Sequence, residues 1–223
     1  MLILECMVIN RRIYYILFLM KQFVFLFFLL LGIFSYGQKI NRSCPYTRIE
    51  MPAYEVCYRE NYKQPFWVIY KVKPYIENNA KRKNNFRKCS SINTSTGDCY
   101  YKNIYDRGHL APAANFKDHQ DHMNLSFCFL NIALQHEKLN QKAWKDLEDH
   151  VRDLASQLNE TLIIQVIIEF GSKRLSCGAM IPDKFHKLIF TSKRIYHYKF
   201  DNKPDYDYKD NLVKYINGSY VSL

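Results

Sequence analysis

Residues 13–36 read IYYILFLMKQFVFLFFLLLGIFSY, broken only by Lys21 and Gln22. No other stretch of the 223-residue chain is like it, and it decides which part of the sequence has to fold. From Met20 the pattern is Met-Lys, an apolar run from Phe23 to Phe34, then Ser35-Tyr36-Gly37. A charged start, a short apolar stretch and small residues before a cut mark a secretory signal, here ending at Gly37. Residues 1–37 are assigned to a signal peptide, with Met20 as an alternative start, and residues 38–223 to the folded domain. The protein is then secreted, periplasmic or extracellular. The alternative is an uncleaved membrane anchor with Arg11 and Arg12 on the cytoplasmic side.

Beyond Gly37 six cysteines remain: Cys44, Cys57, Cys89, Cys99, Cys128 and Cys177. An even number in an exported chain points to disulfides, with fifteen pairings available. Cys89 and Cys99 flank the turn-rich SSINTSTGD and are the easiest pair to close. Cys128 and Cys177 lie in apolar surroundings and read equally well as buried thiols. No C-x-x-C occurs, which disfavours a zinc ribbon or haem attachment.

The domain reads as mixed α and β. Phe66 to Val72 (FWVIYKV) and Thr161 to Ile168 (TLIIQVII) are strand signals, apolar and β-branched. Leu188 to Phe190 and Arg194 to Phe200 are further strand candidates. Residues 75–103 read as loop. Across 138–158, Ala143, Trp144, Leu147, Val151, Leu154 and Leu158 recur at helical spacing with charges between them. The tail from Asp201 is polar and reads as a loose end.

Charge is uneven. The whole chain carries +11, and residues 38–223 carry +9. Between Arg59 and Lys117 there are 12 basic and 4 acidic residues. Such a run is either a solvated basic loop or an electrostatic footprint for phosphates, with Tyr and Phe interleaved.

Two segments carry candidate chemistry. The first is Asp106-Arg107-Gly108-His109, followed by LAPAA. Arg107 offers a planar cation suited to phosphate. His109 is a base near neutral pH. Gly108 lets the backbone pass close to a bound group. The second begins at Asn131 and contains Gln135, Asn140, Trp144, Glu148 and Arg152. Asn140 and Trp144 are four apart, and Glu148 follows about two turns after Asn140, so both can overlook one site. Trp144 and Leu147 read as core. Glu148 and Arg152 read as an ion pair. Asp118, His119, Asp121 and His122 form a dense cluster that reads as solvated loop rather than metal site.

Together these segments resemble the DNA/RNA non-specific endonuclease family: Asp106 to His109, small residues, then Asn140, Trp144, Leu147 and Glu148 in order. The strand QPFWVIYKV before the motif and GAMIPDKFHK after it fit as well. The resemblance covers about residues 54–200. It implies an α+β, ββα-metal (His-Me finger) fold, with a mixed or antiparallel sheet core and flanking helices. A β-hairpin would carry His109 and the next helix Asn140.

The resemblance also implies roles. Asn140 would be the one direct protein ligand of Mg²⁺, with Mn²⁺ or another divalent cation as substitutes. Glu148 would orient the waters on that ion, and His109 would be the general base. Arg107 and Arg152 would stabilise the developing charge, with Arg82 the best candidate for a further substrate-binding cation. Asn131 would hold the His109 strand or the adjacent phosphate, and Asp106 would buttress the hairpin. The implied partners are DNA and RNA, cut to 5′-phosphorylated products, and a dedicated inhibitor protein is a further possible partner. Leu134 stands where the family commonly has Pro, and Lys142 where it often has Gly. The alternatives are a non-catalytic nucleic-acid-binding envelope protein and a metal-dependent phosphodiesterase acting on another substrate.

Overall fold

Alternating burial in the apolar runs builds one large sheet. The computed structural model describes residues 40–217, within a compact unit that begins at Gln38. The signal-like segment lies outside the described residues. Nine strands are formed among them: β1 (Thr47–Glu50), β2 (Glu55–Arg59), β3 (Gln64–Val72), β4 (Tyr105–His109), β5 (Ile132–His136), β6 (Leu162–Arg174), β7 (Met180–Phe190), β8 (Arg194–Asp201) and β9 (Leu212–Asn217). Seven pair antiparallel in the order β1-β2-β3-β6-β7-β8-β9, and β4 pairs with β5 in a separate two-stranded sheet. No helix among the described residues is long and apolar enough to cross a membrane.

Side chains in β3, β6 and β7 alternate between two covered faces. Val68, Tyr70, Val72, Ile164, Val166, Phe185 and Ile189 face the main core. Against them pack Trp144, Leu147, Val151 and Ala155 from the helical segment, spaced to form one apolar stripe. Trp67, Ile69, Leu188 and Phe190 face the other way, towards the chain around Ile40 and Cys44. There Trp67 Nε1 donates to Ser43 O and Gln165 Nε2 to Asn41 O. On this face His186 bridges Glu169 and His197 at 2.6 and 2.8 Å, which satisfies its buried imidazole.

The helices are α1 (Gln120–Ser126), α2 (Glu137–Leu139) and α3 (Lys145–Leu158), with a π-helical turn, Asn140–Trp144, between the last two. The helix expected over 138–158 is therefore present but interrupted, and it ends where Asn159 takes a left-handed conformation, φ 51°. The Asp118–His122 cluster is not a loop throughout. Its second half opens α1, and Asp118 is paired with Lys73. The tail is not loose either. Tyr208 stacks near His150 and Tyr198, and β9 continues the sheet along β8.

Disulfides join Cys44–Cys57, Cys89–Cys128 and Cys99–Cys177. This corrects the expected Cys89–Cys99 closure and the reading of Cys128 and Cys177 as thiols. Tertiary proximity decides it. Arg87 bridges to Cys128, bringing Cys89 alongside, and Cys99 is buried with Leu134 and Ala179 beside Cys177.

Candidate active site

Strand β4 presents Arg107 and His109 on one face, because side chains two apart share a face. The aromatic ring of Phe86 lies between them, its centroid 5.2 Å from the Arg107 guanidinium and 5.4 Å from the His109 ring. Phe127 meets His109 edge-on at 4.9 Å. Gly108 lies opposite Ala133, and a Cβ added to it would come within 2.6 Å of Gln135 Cβ. The close approach that requires glycine is thus to Gln135, not to a bound group.

The two-stranded sheet has no third strand, and two side chains hold its outer strand instead. Gln64 Oε1 accepts from Leu134 N at 3.0 Å. Asn202 Nδ2 donates to Leu134 O, and Asn202 Oδ1 accepts from His136 N. Buried backbone groups require such partners. Asn131 does the same for the chain beyond His109. Its Oδ1 accepts from Ala111 N, and its Nδ2 donates to Ala111 O and Ser126 O. Asn131 is fully buried, with its amide engaged inside the fold.

Across from β4, the π-helical turn starts at Asn140. Asp106 Oδ2 accepts from Asn140 Nδ2 at 2.9 Å and from Gln141 Nε2 at 2.8 Å. A carboxylate only accepts, so the Asn140 amide nitrogen points at Asp106 and its oxygen is left for other partners. Asp106 thereby ties the strand of His109 to the helix of Asn140.

Glu148 does not pair with Arg152. Its Oε1 lies 3.8 Å from Nζ of Lys187, a fully buried lysine on β7. Arg152 turns instead to Asp149 Oδ1 and donates from Nη1 to Asn115 Oδ1 at 3.2 Å.

His109, Asn140, Glu148, Arg152 and Arg82 all line one cleft of about 720 Å³, with Lys117 and Lys145 also on its wall. Arg107 stands exposed beyond Phe86. The basic run divides, because Arg59 stacks on Tyr62 and Lys63 bonds Cys177 O, away from these residues. Burial pushes the His109 imidazole down to about 3, and the Arg82 charge adds to this. Its Nε2 is buried with no hydrogen-bond partner among the described residues. Burial raises the Glu148 carboxyl, while Lys187 and Arg152 pull it back.

A model of the DNA/RNA non-specific endonuclease family matches residues 32–216. The chain belongs to this family. Human mitochondrial endonuclease G is 34% identical over 107 residues, 46% of this chain and 36% of that protein. A nuclease from Nostoc sp. is 30% identical over 140 residues, 61% of this chain and 51% of that protein. The chain thus spans about half or less of the length of these relatives. A chain in the crystal structure of the EndoG/EndoGI complex superposes with a TM-score of 0.69 at 23% identity, covering 82% of this chain and 84% of that one. It shows the shared fold, the ββα-metal fold expected from the motifs.

In this member of the family, four residues of the two motif segments, His109, Asn140, Glu148 and Arg152, converge on the cleft, with Arg82 beside them. Three positions given no role in the sequence complete its frame: Lys187, Gln64 and Asn202. Among the described residues no group of three or more His, Cys, Asp and Glu side chains suits a metal ion. A divalent cation at the Asn140 oxygen would therefore be held mostly by water, which fits Mg²⁺, a hard ion that keeps several waters.

The depressed His109 pKa has a sign. Between about 6.5 and about 3 the unfolded imidazole binds a proton that the folded one does not, so stability is full above 6.5 and falls with pH. By pH 5 the expected loss from this group is about 2 kcal/mol. Calorimetry from pH 7 to 5 should show a smaller loss for His109→Gln than for the wild type. Equal losses would contradict the buried, neutral imidazole.

Proposed function

We propose that the protein is an exported, divalent-cation-dependent endonuclease that hydrolyses DNA and RNA to 5′-phosphorylated fragments. The observation that carries this is the convergence of His109, Asn140, Glu148 and Arg152 on one basic cleft. The neutral His109 takes a proton from the water that attacks phosphorus. The water oxygen forms a bond to phosphorus, the P–O3′ bond breaks, and the released 3′ oxygen is protonated from solvent. Arg152, with Arg82 and Arg107 on the approach, binds the phosphate and its developing charge. The Asn140 oxygen and Glu148 order the solvent on the facing wall. A bound cation, Mg²⁺ or Mn²⁺, supplies charge neutralisation at the phosphate and leaving oxygen. Asn131 acts on the fold around His109 and does not reach the substrate.

Three disulfides suit an oxidising compartment, which supports reading residues 1–37 as an export signal. The EndoG/EndoGI structure concerns inhibition of EndoG, and we include an inhibitor protein among this chain's partners by analogy.

The test is digestion of plasmid DNA and RNA by the purified protein. Both should be degraded with Mg²⁺ and spared with EDTA, and Asn140→Ala should slow cleavage about 100-fold or more. Salt-sensitive binding with no cleavage would leave only a nucleic-acid-binding protein. Faster turnover of small phosphodiesters than of polymer would point to a different substrate.

A further inference from the structure

Lys187 lies in the middle of β7, paired between Val166 and Tyr198, and points into the main core with Phe185 and Ile189. It has no solvent exposure, and its Nζ has no hydrogen-bond partner among the described residues. A lysine here is costly, since burying an unpaired ammonium is strongly unfavourable. The groups around it explain its retention. Its Nζ lies 3.7 Å over the Trp144 ring and 3.8 Å from Glu148 Oε1, with Arg152, Asp149 and Tyr70 the next charged or titratable neighbours of that carboxylate. Trp144 Nε1 is also buried, and it is directed at the same carboxylate. Two donors thus stand behind one carboxylate that lines the cleft.

We propose that Lys187 is a positioning residue for the cleavage reaction: its ammonium, seated on Trp144, holds Glu148 Oε1 from inside the core and leaves the other oxygen for the cleft. This rests on the nuclease reading above. The ion pair fixes the carboxylate's rotamer and keeps its charge directed at the site. Burial pushes the lysine down to about 8, and the Glu148 carboxylate acts against that shift.

The experiment is a double-mutant cycle on the full exported chain, with kcat and KM on DNA measured separately and thermal unfolding in parallel. Lys187→Met should lower kcat about 30-fold or more with KM changed less than about threefold. In a Glu148→Gln background the same substitution should cost less than about threefold, because its target is gone. Lys187→Arg, which keeps the cation, should recover much of the kcat. If Lys187→Met does not fold, Lys187→Gln, which fills similar space and drops the charge, carries the decision: lowered kcat with KM kept supports the role, and unchanged kcat overturns it. Equal losses in both backgrounds, or no loss, would overturn the positioning role. A wild-type chain that cleaves nothing overturns the nuclease reading itself, independently of Lys187.

Discussion

His109→Ala should slow DNA cleavage by about 10³-fold, within the range expected when a positioned base is removed. On the proposed mechanism KM should change little, because there the imidazole takes a proton while the arginines bind the phosphate. The ring also packs against Phe86 and Phe127, so alanine leaves a small cavity and some stability is lost. His109→Gln, which fills more of that space, should be as slow as alanine while unfolding closer to the wild type. This pair of variants separates lost chemistry from lost packing. A His109→Ala protein that is folded and within tenfold of wild-type activity would remove the base from the mechanism.

Breaking the Cys89–Cys128 disulfide should be the next most damaging change. The segment from Lys73 to Thr96 contains no regular strand or helix. It carries Arg82 and Phe86, and it is tied to the body by the disulfide, by side-chain contacts such as Lys73 with Asp118, Gln120 with Lys81 and Arg87 with Asn124 O, and by a few backbone bonds. These include Asn79 N and Ala80 N to Lys117 O, Arg87 N to Phe127 O, and Phe129 N to Arg87 O. Chain entropy for a loop spanning 39 positions gives about 4 kcal/mol of stabilisation. Without the bridge, Phe86 leaves the His109 ring and Arg82 leaves the cleft wall. The variant with serine at both positions should lose about ten- to a hundredfold in kcat/KM even below its melting temperature. Serine at Cys44 and Cys57, on the opposite face of the sheet, should lower stability with little effect on rate. Matched rates for the two variants, measured on folded protein, would contradict this division.

The grouping of the cleft residues is legible in the sequence because local spacing carries it. Asp106 to His109 occupy one strand, and Asn140 and Glu148 lie on neighbouring turns of one helical segment, so their order in the chain survives in space. The central strands were legible for the same reason, as β-branched runs with both faces covered. What escaped depends on distant partners. Lys187 looks like an ordinary charge between Ile189 and Phe185 until Glu148 and Trp144 are placed beneath it. Glu148 and Arg152 fit an i,i+4 pair, but the core lysine and Asp149 compete for them and win. The disulfide pairing follows strand and loop neighbours, not sequence separation. The strand from Leu212 carries Leu212, Val213, Tyr215 and Ile216, but it follows a polar tail of Tyr and Asp, and its place is set by pairing with β8. The π-helical turn at Asn140 shifts the facing of that residue relative to Trp144, and helical spacing alone does not predict it.

A ladder of backbone bonds spreads the alignment of a strand over many contacts. The strand opposite His109 is aligned on its outer edge by two pegs, Gln64 and Asn202, whose partners lie 70 and 68 positions away along the chain. The aim of the His109 imidazole is therefore adjustable from residues that do not line the cleft. Evolution can retune the geometry of the cleft by single changes at the pegs, while the large sheet keeps its alignment. Drift at Gln64 or Asn202 would then show first as altered turnover and only later as loss of the fold.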